Sequence, residues 1–174
     1  MSEIDGEQHS VKAAIVTAFT NNRFPGSQPE QLIGETVPSE RERLAPFFAG
    51  KRWEDWIDRP LDMFKPRPFP GGLIFLEPRA FQYYLPVFLL AGLIQPDEAG
   101  NVLSETVRLL SRDDSDWGKM WCSTMLKEMT QPQLLATLKA LDYFDGEYGS
   151  FNPSFHEDIE RARTSLTRFL RPRE

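Results

Sequence analysis

The sequence predicts a mainly α protein, one compact domain of about six helices around a proline-kinked central helix, with at most a small β element. Three observations carry this. Apolar residues recur at helical spacing in segment after segment, without a repeat of constant length. Pro and Gly breaks separate those segments. The longest apolar run lies in residues 73–94, LIFLEPRAFQYYLPVFLLAGLI, and follows the clearest helix start in the chain, so the other elements are expected to cover it.

Residues 1–8 are polar and are expected to be disordered. Ser10 is placed to cap a helix whose Val11, Ala14, Ile15, Ala18 and Phe19 repeat at i, i+3, i+4, i+7 and i+8. Asn21 and Asn22 weaken its end, and Phe24-Pro25-Gly26 stops it in a turn. Leu32-Ile33 allows only a two-residue bridge, with residues 73–76 as its partner. Ser39-Glu40-Arg41-Glu42 has capping-box spacing and opens a helix through Leu44 and Phe47 that should end by Gly50. Trp53, Trp56 and Ile57 share one helical face; burial is the expectation, stacking on a ligand ring the alternative. Between residues 58 and 72 the prolines Pro60, Pro66, Pro68 and Pro70 exclude both regular helix and central strand, which predicts a stiff surface connection.

Pro70, Gly71 and Gly72 lead into Leu73–Leu76, read as a short buried strand or extended segment. Glu77-Pro78 then starts the central helix, because Pro is favoured at the first helical position, where its missing N–H is not needed. Phe81, Tyr84, Leu85, Phe88, Leu89 and Gly92 fall on one face, and Val87 and Leu90 make the opposite face apolar too, so the second half should be buried on all sides. Pro86 cannot donate to the Gln82 carbonyl and predicts a kink. Gln82, Tyr83, Tyr84 and Pro86 form a candidate pocket if the freed carbonyl and the two hydroxyls converge; otherwise both tyrosines find local partners. Glu77, Arg79 and Gln82 interrupt the apolar run, so it suits a core helix better than a membrane span.

Asp97 is expected to cap a helix carrying Val102, Thr106, Leu109 and Leu110. Ser111 to Asp116 reads as a polar turn, followed by Trp117 and Trp121 one helical turn apart. Thr130 and Gln133 form a capping box for a helix buried through Leu134, Leu135, Leu138 and Leu141. Asn152-Pro153-Ser154 starts a last helix, with Ser154 and Glu157 as a further capping box, packing through Phe155, Ile159, Ala162, Leu166 and Phe169.

The phrase FLEPRAFQYYLP, Phe75 to Pro86, resembles "FLTPEAFRYYLP", which marks an uncharacterised family of small bacterial proteins. The similarity takes in Phe24-Pro25-Gly26 and Gly50-Lys51-Arg52-Trp53, and departs at Glu77, where the family has Thr. The resemblance implies bacterial origin and a shared fold; it supplies no catalytic residues.

Composition narrows the function classes. The chain has 174 residues, 40% apolar and 26% charged, a size that suits one domain spanning 1–174. A net charge of −6 argues against nucleic acid or an anionic membrane as the main partner, and suits a basic protein. The start MSEIDGEQHS has neither part of a signal peptide, which predicts a cytoplasmic protein. Cys122 is alone, and His9 and His156 have no zinc-ligand spacing, so neither a cofactor, a metal nor an assembled catalytic set is expected. Cys122 sits among Met120, Trp121, Met125 and Leu126 and is read as structural.

Asp113, Asp114, Asp116, Trp117 and Trp121 form the candidate partner-binding patch, carboxylates to steer a basic partner and tryptophans to anchor it. The alternatives are solvated aspartates beside core tryptophans, or a hard-cation site without calcium-loop spacing. Asp142, Asp145 and Glu147 near a helix end are read as solvated. The expected function is a protein-binding or inhibitory module, in the manner of a toxin-neutralising immunity protein. The alternatives are a small-ligand or metal-dependent enzyme and a purely structural domain.

Overall fold

The structure, a computed structural model, describes residues 3–34, 38–111 and 115–170. Among them are eight α-helices: α1 (Glu3–Phe19), α2 (Pro29–Leu32), α3 (Pro38–Phe48), α4 (Pro78–Ile94), α5 (Pro96–Leu109), α6 (Asp116–Glu128), α7 (Gln131–Phe144) and α8 (Pro153–Leu170). The six expected helices are present; α2, a single turn, and α6, which carries both tryptophans of the acidic stretch, are additional. The β content among the described residues is one antiparallel bridge between Ile33 and Leu76. It is closed by Gly34 N–H to Phe75 O at 3.0 Å and Glu77 N–H to Leu32 O at 2.9 Å. The bridge is the one anticipated from Leu32-Ile33, but Leu73–Phe75 is a 3-10 turn rather than a strand. The preceding Gly72 has φ 101°, so the chain enters that turn through the left-handed region that favours glycine.

Proline decides where most helices begin. Five of them, α2, α3, α4, α5 and α8, start on a proline at the first helical position. This corrects two expected starts and one expected cap. The helices expected at Ser39 and Asp97 begin at Pro38 and Pro96, and the last, expected to start within Asn152-Pro153-Ser154, begins at Pro153; in α5 and α8 the residue before the proline takes the cap position. For α8 that residue is Asn152, whose Oδ1 accepts from Phe155 N–H at 3.2 Å. The Thr130 capping box is present, with Gln133 N–H on Thr130 Oγ1 at 3.4 Å and Thr130 N–H on Gln133 Oε1 at 2.9 Å. For residues 3–8 the expected disorder is also corrected, because α1 is helical from Glu3. Packing explains the extra turns: Gln8 donates to the Leu93 carbonyl on α4, and Lys139 on α7 reaches Ser10 Oγ at 2.6 Å.

Helix α4 is the axis. Every residue from Ala80 to Leu93 is buried, as expected of a helix that is apolar on both faces. Helices α1, α5, α6 and α7 pack against it, and α8 closes the far side against α5 and α7. The proline-rich connection holds a 3-10 turn at Pro60–Phe64 with Met63 and Phe64 buried, so part of it belongs to the core. Phe47, Phe48, Phe64 and Phe69 meet there in mostly edge-to-face pairs with centroids 4.7–6.2 Å apart. Among the described residues no helix is long and apolar enough to cross a membrane.

Candidate functional site

The carbonyl that Pro86 leaves without a helical donor belongs to Gln82, a residue that lines a groove between α1 and α7. With no N–H on Pro86, the Gln82 carbonyl lacks its helical donor. Asn22, just beyond the end of α1, supplies one from its Nδ2 at 3.3 Å. The same asparagine accepts from Gln82 Nε2 at 3.2 Å and from Gln133 Nε2 at 2.6 Å, and Gln82 Nε2 also reaches Gln133 Oε1 at 3.2 Å. Three side-chain amides from α4, α7 and the end of α1 are thereby joined. Gln82 is 8% exposed and Gln133 4%; burial of neutral amides is tolerated because each is hydrogen-bonded.

These amides form the floor of a groove of about 1040 Å³ along the seam of α1 and α7. Its walls are small and apolar, chiefly Ala13, Ala14, Ala18 and Ala136, with Leu135 half exposed beside them. Arg23, Arg79 and Lys139 supply positive charge, and Glu128 is the one carboxylate among the lining residues. Arg23 and Arg79 are exposed and make no ion pair with any described residue.

The candidate pocket of Gln82, Tyr83, Tyr84 and Pro86 is therefore only partly assembled. Of the four, Gln82 lines the groove, whereas Pro86 is buried in α4 and the tyrosines point elsewhere. Tyr84 Oη lies 2.8 Å from both the Phe48 and Lys51 carbonyls, and Tyr83 Oη donates to Glu54 at 3.1 Å. Both tyrosines lie within one turn of Gln82, yet adjacent helical residues point about 100° apart, so the side chains diverge. Burial, reinforced by the Glu54 carboxylate, pushes the Tyr83 hydroxyl up to about 12, and burial also raises Tyr84. Both are fixed donors near neutral pH. The segments around Phe24 and Lys51 meet the tyrosines, since Phe24 packs edge-on against Tyr83 at 5.3 Å and the Lys51 carbonyl holds Tyr84. They build a packing junction between α3, α4 and the turn after α1. Trp53 is buried in it, and Trp56 lies under the Lys51 ammonium, 6.0 Å from its ring centroid.

Of the expected acidic-aromatic patch the structure describes Asp116, Trp117 and Trp121. Asp113 and Asp114 lie outside the described residues. Asp116 opens α6 and is exposed, behind Ser115, whose Oγ caps Gly118 N–H at 3.0 Å. Trp117 is 41% exposed. Trp121 is not a surface anchor: it is 4% exposed, packs edge-on against Phe81 at 5.1 Å and donates from Nε1 to the Leu76 carbonyl at 2.9 Å. An amphipathic helix turns the residue four positions after an exposed one by only about 40°, and the core begins within that angle.

Asp142 and Asp145 are ion-paired rather than simply solvated. Arg163 on α8 bridges them, 2.7 Å from Asp142 and 3.1 Å from Asp145, and also holds Glu160. His156 Nδ1 lies 2.6 Å from the other oxygen of Asp145. Burial alone would raise Asp145, but the hydrogen bonds from His156 and Arg163 outweigh it and hold its carboxyl below the usual range; the same bond raises His156. This cluster clamps α7 to α8. Among the described residues no three His, Cys, Asp or Glu side chains are grouped to hold a metal ion.

A smaller concavity of about 610 Å³ lies between α6 and α8, with Lys119 and Arg168 at its rim and Cys122 in its wall. Cys122 is 5% exposed, with Sγ 3.5 Å from the Leu110 carbonyl. Charge and spacing in the sequence pointed to the acidic turn; the α1–α7 groove was signalled only by Pro86, whose freed carbonyl required a donor from somewhere. Comparison of the chain with family models, with curated proteins and with solved structures returns no match.

Proposed function

We propose that the protein is a protein-binding module whose partner engages the groove between α1 and α7, with inhibition or neutralisation of that partner as the use its small size suits. The observation behind this reading is a pair of arginines, without ion pairs to any described residue, beside buried amides in one groove. Amides and guanidiniums hold a ligand by hydrogen bonds and charge, and neither gives up or takes a proton near neutral pH. Small side chains on both walls let another chain approach the helix backbones closely, as grooves that take peptide segments require. The net charge of −6 suggests a basic partner, whereas the groove's own charge favours an acidic one, and the groove is where contact is made.

The test uses Ala13→Trp, which fills the groove from an exposed position on α1. Wild type and variant, matched for helicity by circular dichroism, are immobilised and exposed to extract of the native host. A partner retained by wild type and lost by Ala13→Trp, then reproduced with both proteins purified, is the expected result. Partners that bind both forms equally would remove the groove from the proposal.

A further inference from the structure

We propose that the groove accepts an extended, acidic stretch of the partner's chain, its backbone on the amides of Asn22, Gln82 and Gln133 and its carboxylates on Arg23 and Arg79. This rests on reading the groove as a partner-binding face. Counting hydrogen-bond capacity gives the first argument. Gln82 commits both amide hydrogens, to Asn22 and Gln133, while its Oε1 accepts nothing from any described residue. Asn22 Nδ2 and Gln133 Nε2 each use one hydrogen and keep one. The floor therefore retains one acceptor and two donors, the combination that a peptide N–H and neighbouring carbonyls satisfy. An extended chain offers those groups freely. A helix does not, because its backbone groups bond internally, and docking one here would bury the spare amide groups without partners.

Charge gives the second argument. Three cations and one carboxylate line the groove, and neither arginine is engaged by a described acid, so a ligand carboxylate replaces no existing bridge. Arginine also matches a carboxylate with two parallel N–H donors. The overall charge of −6 repels an acidic chain at long range, but ionic screening over about 8 Å at physiological salt leaves the groove's own cations dominant at contact. A nucleotide is the less suitable anion, because the groove walls hold no aromatic ring to stack a base.

The experiment is selection of heptapeptides from a random phage-displayed library on the folded full chain. Synthetic copies of the enriched peptides are then measured by fluorescence anisotropy against wild type, Arg23→Glu/Arg79→Glu and Ala13→Trp. We expect sequences carrying two or more Asp or Glu, at least tenfold weaker binding to the charge-reversed protein, loss of binding to Ala13→Trp, and shifts of the Asn22, Gln82 and Gln133 side-chain NH2 signals in 1H–15N spectra. Peptides that Ala13→Trp blocks but that are neutral or basic, or that bind the charge-reversed protein unchanged, would overturn the acidic assignment while leaving the binding groove in place. A scrambled peptide binding as tightly as the selected one would reduce the effect to diffuse attraction and would likewise overturn the acidic assignment. Failure to enrich any peptide sensitive to Ala13→Trp would overturn the groove reading and this inference together.

Discussion

If Asn22 stands in for the hydrogen that Pro86 lacks, then removing either residue must change what the other is worth. Asn22→Ala deletes three hydrogen bonds, one to the Gln82 carbonyl at 3.3 Å, one from Gln82 at 3.2 Å and one from Gln133 at 2.6 Å. Net contributions of about 0.5–1.5 kcal/mol each, at the low end for the two long bonds because Asn22 is only half-buried, give a loss of roughly 2 kcal/mol. For a chain of this size that lowers the melting midpoint by roughly 4–8 °C. In a Pro86→Ala background the backbone N–H gained at position 86 closes the helical bond to Gln82 O, so the Asn22 donor becomes dispensable. Asn22→Ala should then cost about 0.5–1 kcal/mol less than in wild type, which is the interaction energy of the cycle. The cavity and strain effects of Pro86→Ala itself cancel in that difference. Urea titrations of the four proteins, with equal m values, measure it. Additive costs, agreeing within about 0.3 kcal/mol, would refute the claim that the amide network exists to satisfy the proline defect.

Three further outcomes are expected. Tyr84→Phe leaves the Phe48 and Lys51 carbonyls without their shared 2.8 Å donor and should cost about 1–2 kcal/mol in urea unfolding, with no effect on peptide binding in the groove. The raised His156 makes its bond to Asp145 a contribution fully present below its unfolded pKa, about 6.5, and lost as pH rises through the higher folded value. Urea midpoints should accordingly fall with rising pH from about 6 upward, and His156→Asn should flatten that fall; an unchanged slope would break the assignment. Cys122, at 5% exposure, should react with a thiol reagent at neutral pH far more slowly in the folded protein than in urea, and rapid labelling of the native state would contradict its structural role.

Much of the fold was legible because local chemistry and burial agree. The uniform apolarity of Val87, Phe88, Leu89 and Leu90 required a helix buried on all sides, and Glu77-Pro78 marked its start. Leu32-Ile33 and Leu76 were short and apolar enough for the Ile33–Leu76 bridge that formed. Where expectation and structure differ, two local signals competed. Ser39, Asp97 and Ser154 are good caps, but each follows a proline whose fixed φ already belongs to the helix, and the proline prevails. Residues 3–8 show too little amphipathic pattern to be helical alone; docking of Gln8 and Ser10 onto α4 and α7 makes them so.

From the sequence alone came the all-helical architecture, the buried central helix and the certainty that Pro86 would leave the Gln82 carbonyl short of a donor. Which residue answers that carbonyl was decided by tertiary structure, since Asn22 and Gln133 lie 60 and 51 residues away from Gln82 and no local pattern relates them. The same is true of the tyrosines, whose hydroxyls are claimed by α3 and the turn that follows it, and of Trp121, which packs inward although Trp117 remains half exposed. A chain's periodicity states which faces want to be buried, whereas pairing among polar groups depends on which distant segments that burial happens to bring within about 3 Å, and so the groove exists only once α1, α4 and α7 have met.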